Sequence, residues 1–307
     1  MMLLMVMLNF NYFLNQFVLS IFIILSIAFY TLMERKILSY QQNRKGPNKI
    51  SMIGILQPVS DAMKLLTKKE FKLTFSNNIM YWTPPFYSFF MFILVLNLFP
   101  SKMSSTEMNL SFLFFFSIIA LTGFSTIIMG WASNSKYTIL GSLRALAQSI
   151  SYEILLIISV FLMMYYISSF SLMNFQKEKP FLWSILMLIM FIFFISLVCE
   201  VNRAPFDLSE GESELVSGFN TEYGMTKFAL IFLTEYGMMI FMSLVMTLTF
   251  NNYFEMLFFF KMILFMMIFL WLRSSYPRMR YDILMYFTWK NALPITLLLS
   301  LCYFMIL

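Results

Sequence analysis

Long apolar runs separated by short polar stretches dominate the chain. Runs long enough to cross the roughly 30 Å hydrocarbon layer of a bilayer, about 17 to 25 residues each, lie at about 13–33, 79–99, 110–129, 143–166, 181–199, 225–250, 254–272 and 284–307. In hydrocarbon every backbone N–H and C=O must be satisfied inside the protein, which favours a helix for each run. The pattern predicts an all-α polytopic membrane protein, one membrane domain over 1–307 with about eight transmembrane helices.

The polar stretches add detail. Gln41 to Lys49 reads as a turn because Gly46-Pro47 breaks regular structure. Pro58 then suits a first helical position, and Val59, Ala62, Met63 and Leu66 recur at i, i+3, i+4 and i+7. This predicts a short amphipathic helix lying in the membrane interface. Thr83-Pro84-Pro85 should kink or delay the second span. Residues 221–225 and 234–238 are both Thr-Glu-Tyr-Gly-Met, but their offset turns the copies to nearly opposite helical faces, so they are not a repeated site. Met1 to Leu8 lack a basic region and a small-residue cleavage site, so the first span is expected to stay in the mature protein.

Composition agrees with the pattern: 60% of residues are hydrophobic and only 12% charged, which is too little polar surface for a soluble domain. Histidine is absent, which excludes a bis-His haem or a His-ligated copper site. The two cysteines, Cys199 and Cys302, are too few for an iron–sulfur cluster and lack zinc-type spacing. No metal site is expected, and any proton relay must use carboxylates, hydroxyls, Lys and water.

The charges are unevenly placed. All of the 21 Lys and Arg except Lys102, Lys177, Lys179 and Lys261 fall in the loops after spans one, three, five and seven, which the positive-inside rule assigns to the interior side. The net charge of +6 is thus a property of one face and gives no sign of nucleic-acid binding. The interior loop at about 200–224 gathers Glu200, Asp207, Glu210, Glu212, Glu214 and Glu222, of 15 acids in all, around a single Arg203. A plain solvated acidic loop would not need the Val201, Phe206, Leu208, Leu215, Val216 and Phe219 threaded through it.

Ionisable groups inside spans cost about 2.5 to 3.5 kcal/mol each at a helix centre and call for partners or a hydrated cavity. In the fourth span Arg144, Gln148 and Ser151 share one face while Ser149 and Glu153 share another. Glu235 lies well inside the sixth span with no cation within a turn, so it needs an Arg from another element or water. Glu34 ends the first span beside Arg35, and Glu200 ends the fifth shortly before Arg203. Structural ion pairs would explain each singly. Their convergence on one face points to a hydrated, titratable path.

Met33-Glu34-Arg35-Lys36-Ile37-Leu38, Arg44-Lys45-Gly46-Pro47-Asn48, Gly54-Ile55-Leu56-Gln57-Pro58, Asp61-Ala62-Met63-Lys64, Gly130-Trp131-Ala132-Ser133-Asn134-Ser135, Arg144-Ala145-Leu146-Ala147-Gln148, Ser151-Tyr152-Glu153, the 199–223 stretch and Tyr276-Pro277-Arg278-Met279-Arg280-Tyr281-Asp282 occur in this order. Together they resemble the family of subunit 1 of mitochondrial NADH:ubiquinone oxidoreductase, respiratory complex I, over essentially the whole chain. The resemblance implies eight spanning helices in the mitochondrial inner membrane with the Lys/Arg-rich loops on the matrix side. It implies a tunnel for ubiquinone as substrate, and proton translocation coupled to quinone reduction. Flavin, iron–sulfur clusters and the NADH site would belong to partner subunits, namely other complex I membrane subunits and the quinone-site subunits of the hydrophilic arm. By matching motif, Glu34, Arg35, Arg144, Arg203, Phe206, Arg273 and Arg278 would lie along the tunnel. Glu153, Glu200, Asp207, Glu210, Glu212, Glu214, Glu222 and Glu235 would form the carboxylate path. A carboxylate-based proton or cation transporter without redox chemistry is the alternative, although the paired broken helices that it would show in two related halves are not seen.

Overall fold

The apolar runs can be dry inside because their hydroxyls join the helical hydrogen bonding. Ser196, Ser243 and Thr247 each donate to a carbonyl one turn back, at 2.8, 2.6 and 2.7 Å. The structure, a computed structural model, describes residues 2–69, 76–99, 109–172, 187–209, 211, 215–216, 218–250 and 255–306. Among these no strand occurs.

The helices are, in order, α1 Met2–Gln41, α2 Gln57–Thr67, α3 Asn78–Leu96, α4 Ser111–Ala132, α5 Lys136–Ile167, α6 Met187–Glu200, α7 Met225–Phe250, α8 Glu255–Ser275, α9 Tyr281–Tyr286 and α10 Leu293–Ile306. Six of them, α1, α3, α4, α5, α7 and α8, are long and apolar enough to cross a membrane, and α6 is a shorter apolar helix. The first part of the run at 181–199 lies outside the described residues. The final run is helical from Tyr281 to Ile306 but carries a π segment, Phe287–Ala292, between α9 and α10. Pro294 follows it. A proline offers no N–H and crowds the carbonyl one turn back, and the wider π ladder relieves that contact.

Of the kink or delay expected from the prolines of the second span, the delay does not occur. α3 starts at Asn78, ahead of Thr83-Pro84-Pro85, and both prolines are buried inside it, so they do not delay the helix. Pro84 leaves the Met80 carbonyl without its usual donor, and the Thr83 hydroxyl donates to it at 3.4 Å.

The amphipathic helix α2 has no buried residue, and its apolar stripe of Val59, Met63 and Leu66 is more than half exposed. α2 is tied to the end of α1 by Arg35 to Asp61 at 2.5 Å, and the turn just before α2 by Lys36 donating to the Ile53 carbonyl at 2.6 Å. α7 is the most enclosed spanning helix, with 61% of its most apolar stretch buried against 11% for α8. It packs on α1, α3 and α8, while α5 packs on α4 and α6. Phe115, Leu156, Phe193, Phe241 and Val245 form the centre of the core.

The α3–α7 contact depends on Gly237. A Cβ there would lie 2.2 Å from the Phe92 ring, which is itself fully buried. Small residues at such contacts let membrane helices approach closely. Gly237→Ala is expected to lower stability by about 1 to 3 kcal/mol through overpacking. This would be measured as a reduced midpoint of thermal inactivation in detergent, and an unchanged midpoint would refute the close approach.

Candidate functional site

Two buried ion pairs meet near the ends of α1, α6 and α8, where α7 passes. Glu34 on α1 is only 4% exposed. It accepts hydrogen bonds from the Arg273 guanidinium on α8 and from the Tyr236 hydroxyl on α7. Next to Tyr236 in sequence, Glu235 accepts from Arg203 Nη2 at 2.8 Å. Arg203 comes from the turn after α6, where Asn202 adopts a left-handed conformation at φ 53°. Its guanidinium lies 4.8 Å from the Tyr236 ring centroid and 5.6 Å from that of Phe232. Tyr236 therefore touches both pairs, through its hydroxyl on one side and its ring face on the other. Tyr30, one turn before Glu34, packs edge-on against Tyr236 at 5.9 Å and donates to the Met266 carbonyl at 3.2 Å.

Glu235 also lines a cavity of about 110 Å³ between α3, α4, α5, α6 and α7. That volume holds several water-sized molecules. Glu200, Glu235, Asn202, Ser209, Ser149 and Thr126 are among its lining residues. Glu200 Oε2, Asn202 Oδ1 and Ser209 Oγ are buried without a protein partner, and all three residues line this cavity. Glu153 on α5 lies within electrostatic reach of Glu200, but it is not among the cavity-lining residues. Asn220 bonds Glu235, and Asp207 is near enough to repel it.

The remaining residues singled out from sequence fall in several places. Asp207 is held by Arg278 Nη2 at 3.2 Å. Arg35 turns away from Glu34 to Asp61, and at 50% side-chain exposure that surface pair contributes about 0 to 1 kcal/mol. Phe206 packs into the core, and its carbonyl accepts from Gln148 Nε2 at 2.8 Å. Arg144 is half-buried on α5. Glu222 lies in a separate recess near α2, its carbonyl accepting from the Tyr81 hydroxyl. Beside it, burial pushes the Tyr223 phenol up, with Tyr81 stacked on it at 4.5 Å adding to the shift. Glu210, Glu212 and Glu214 lie outside the described residues. Among the described residues no three acids or cysteines gather as metal ligands would.

Neither Tyr236 nor Tyr30 stands out in the sequence as a site residue. Their signal was position: one adjoins Glu235, and the other lies one helical turn from Glu34. Gln148 was noticed only as a polar face. It is fully buried and also donates to the Cys199 carbonyl at 3.0 Å, which fixes the turn that aims Arg203.

Buried Glu34 and Glu235, each held by an arginine from another element inside a bundle of helices long and apolar enough to cross a membrane, fit a membrane subunit of an oxidoreductase complex. The model of the NADH dehydrogenase family matches residues 14–304, and the chain belongs to that family. It is similar to the protein named NADH-ubiquinone oxidoreductase chain 1 of Aedes aegypti, with 42% identity over 287 residues covering 92% of each chain. The proteins of the same name from Ornithorhynchus anatinus and Monodelphis domestica are each 42% identical, covering 95% and 94% of both chains.

Proposed function

We propose that this chain is the membrane subunit of a mitochondrial inner-membrane NADH:ubiquinone oxidoreductase that lines the path of ubiquinone and couples its reduction to proton translocation. The single observation that carries this reading is the unbroken line of contacts from Arg273 through Glu34, Tyr236 and Arg203 to Glu235 and the polar cavity. Reduction of a quinone to a quinol takes up two protons and creates negative charge on the way. Arg273 and Arg203 are placed to favour that charge, and their carboxylate partners respond when it appears. A change at Glu34 alters the pull on Tyr236, whose ring supports Arg203, and so alters the charge balance at Glu235.

The cavity lies beyond that line and holds Glu200 and Glu235, which supports its role as the first step of a carboxylate path. Water suits its unpaired polar atoms. In this reading the flavin, iron–sulfur and NADH chemistry belongs to partner subunits of the complex, and the Lys/Arg-rich loops face the matrix.

Glu200→Gln is the most direct test, because the substitution keeps shape and removes only a proton-binding site with one unpaired oxygen. The complex should assemble normally while ubiquinone-dependent proton pumping falls about tenfold, less than the roughly hundredfold or more of a positioned proton-transfer group because water in the cavity can carry part of the transfer. Normal turnover with a normal proton-to-electron ratio would remove Glu200 from the path. Ion flux through the purified chain alone would favour a transporter instead.

A further inference from the structure

We propose that the recess between α2 and the starts of α3 and α7 binds the headgroup of an anionic phospholipid from the leaflet at the Lys/Arg-rich ends of the spans. The recess measures about 580 Å³, and Lys68, Lys69, Lys227, Tyr81 and Glu222 are among its lining residues. Three ammonium groups against one carboxylate leave it with a net positive charge. Lys227 is 5% exposed, and its Nζ lies 4.1 Å from the Tyr81 ring and 3.7 Å from the Trp82 ring, so this cation is fixed at the floor. Lys68 and Lys69 immediately follow α2 and are exposed at the rim.

The surface beside the recess is strongly apolar. Ile79, Trp82 and Phe86 share one face of α3 and are 83%, 40% and 51% exposed, and Trp82 lies against Lys227. A headgroup pocket whose floor lysine touches Trp82, on one exposed apolar face of α3 with Ile79 and Phe86, has the layout of a phospholipid site, with the phosphate at the lysines and the acyl chains along that face of α3. Charge complementarity selects the anionic class. A zwitterionic headgroup brings its own ammonium to the lysines, and a free phosphate has no chains for that face. The site does not depend on whether the carboxylates of α7 couple anything.

The test uses the full chain, in the assembly with which it purifies, reconstituted into phosphatidylcholine vesicles containing a trace of photoreactive phosphatidylglycerol or, separately, photoreactive phosphatidylcholine. Labelled peptides covering 57–69 and 223–228 are then read by mass spectrometry. Phosphatidylglycerol should label them about tenfold more than phosphatidylcholine, and Lys68→Gln with Lys69→Gln should lower that labelling about tenfold, in line with the attraction of two basic residues to anionic lipid. The corresponding pair of arginine substitutions should keep it, and unlabelled phosphatidylglycerol should compete where millimolar inorganic phosphate does not. Equal labelling by the two lipids, labelling unaffected by the glutamine pair, or competition by inorganic phosphate would overturn the site. Phosphatidylglycerol label on a neighbouring chain in place of these peptides would do the same, by showing that another chain covers the recess. Where the glutamine pair does not assemble, the lipid preference of the unaltered protein and the arginine pair decide.

Discussion

Arg203→Gln is expected to remove nearly all ubiquinone-coupled turnover and to weaken the assembled protein by about 3 to 5 kcal/mol, the cost of leaving a buried charge without its partner. Arg203 and Glu235 bond at 2.8 Å with side chains only 11% and 20% exposed, so solvent does little to replace either one. The guanidinium also covers the Tyr236 and Phe232 rings, and losing that contact adds about 1 to 2 kcal/mol. Combining Arg203→Gln with Glu235→Gln separates structure from function. Two amides can hydrogen-bond across the same gap without a stranded charge, so the double variant should regain most of the lost thermal stability while its turnover stays low. If Arg203→Gln alone is as stable as the unaltered protein, the pair is not an isolated buried one. If the double variant regains turnover together with stability, the charges serve the fold only.

That pairing shows where a linear sequence is readable and where it is not. Apolar runs and the stripe of α2 are local properties, set by length and by the 3.6-residue period, and they can be read directly. Charge partners are a property of which helices face each other. Glu34 adjoins Arg35, and adjacent residues of a helix point to different faces; Glu200 lies three residues before Arg203, but the helix ends at Glu200, so their spacing does not bring them together. In the fold Glu34 reaches Arg273, 239 positions away, and Tyr236, 202 positions away. Arg203 reaches Glu235, 32 positions on, and Arg35 reaches Asp61. The sequence did show that Glu235 needs a cation from elsewhere, because an unpaired carboxylate in a span is costly. It could not show that the donor would be a turn after α6 held in place by Gln148. The helix carrying Pro84 and Pro85 was legible as an apolar run, but that the prolines would not delay it was unreadable for a similar reason. Its continuation rests on burial against neighbours and on the Thr83 hydroxyl, neither of which a propensity contains.

Glu34→Gln should have the second-largest effect, about a ten- to hundredfold fall in ubiquinone kcat/KM, because hydrogen bonds to a charged group are worth about 1.5 to 3 kcal/mol and each 1.4 kcal/mol is tenfold in rate. The carboxylate serves two donors at once, the Arg273 guanidinium and the Tyr236 hydroxyl. An amide has one acceptor oxygen, so it can keep only one of them without turning its own N–H₂ toward a donor. Tyr236→Phe is the matched control. It removes one of the two donors to the carboxylate and keeps the ring beneath Arg203, so it should cost about tenfold, the low end for a hydrogen bond to a charged group. NADH oxidation with a hydrophilic artificial acceptor should be unchanged in both, since electron input belongs to other chains in this reading. A larger loss from Tyr236→Phe than from Glu34→Gln would mean that the hydroxyl itself, rather than the carboxylate it binds, links the two ion pairs. Equal losses in both acceptor assays would instead mark the cluster as a structural clamp.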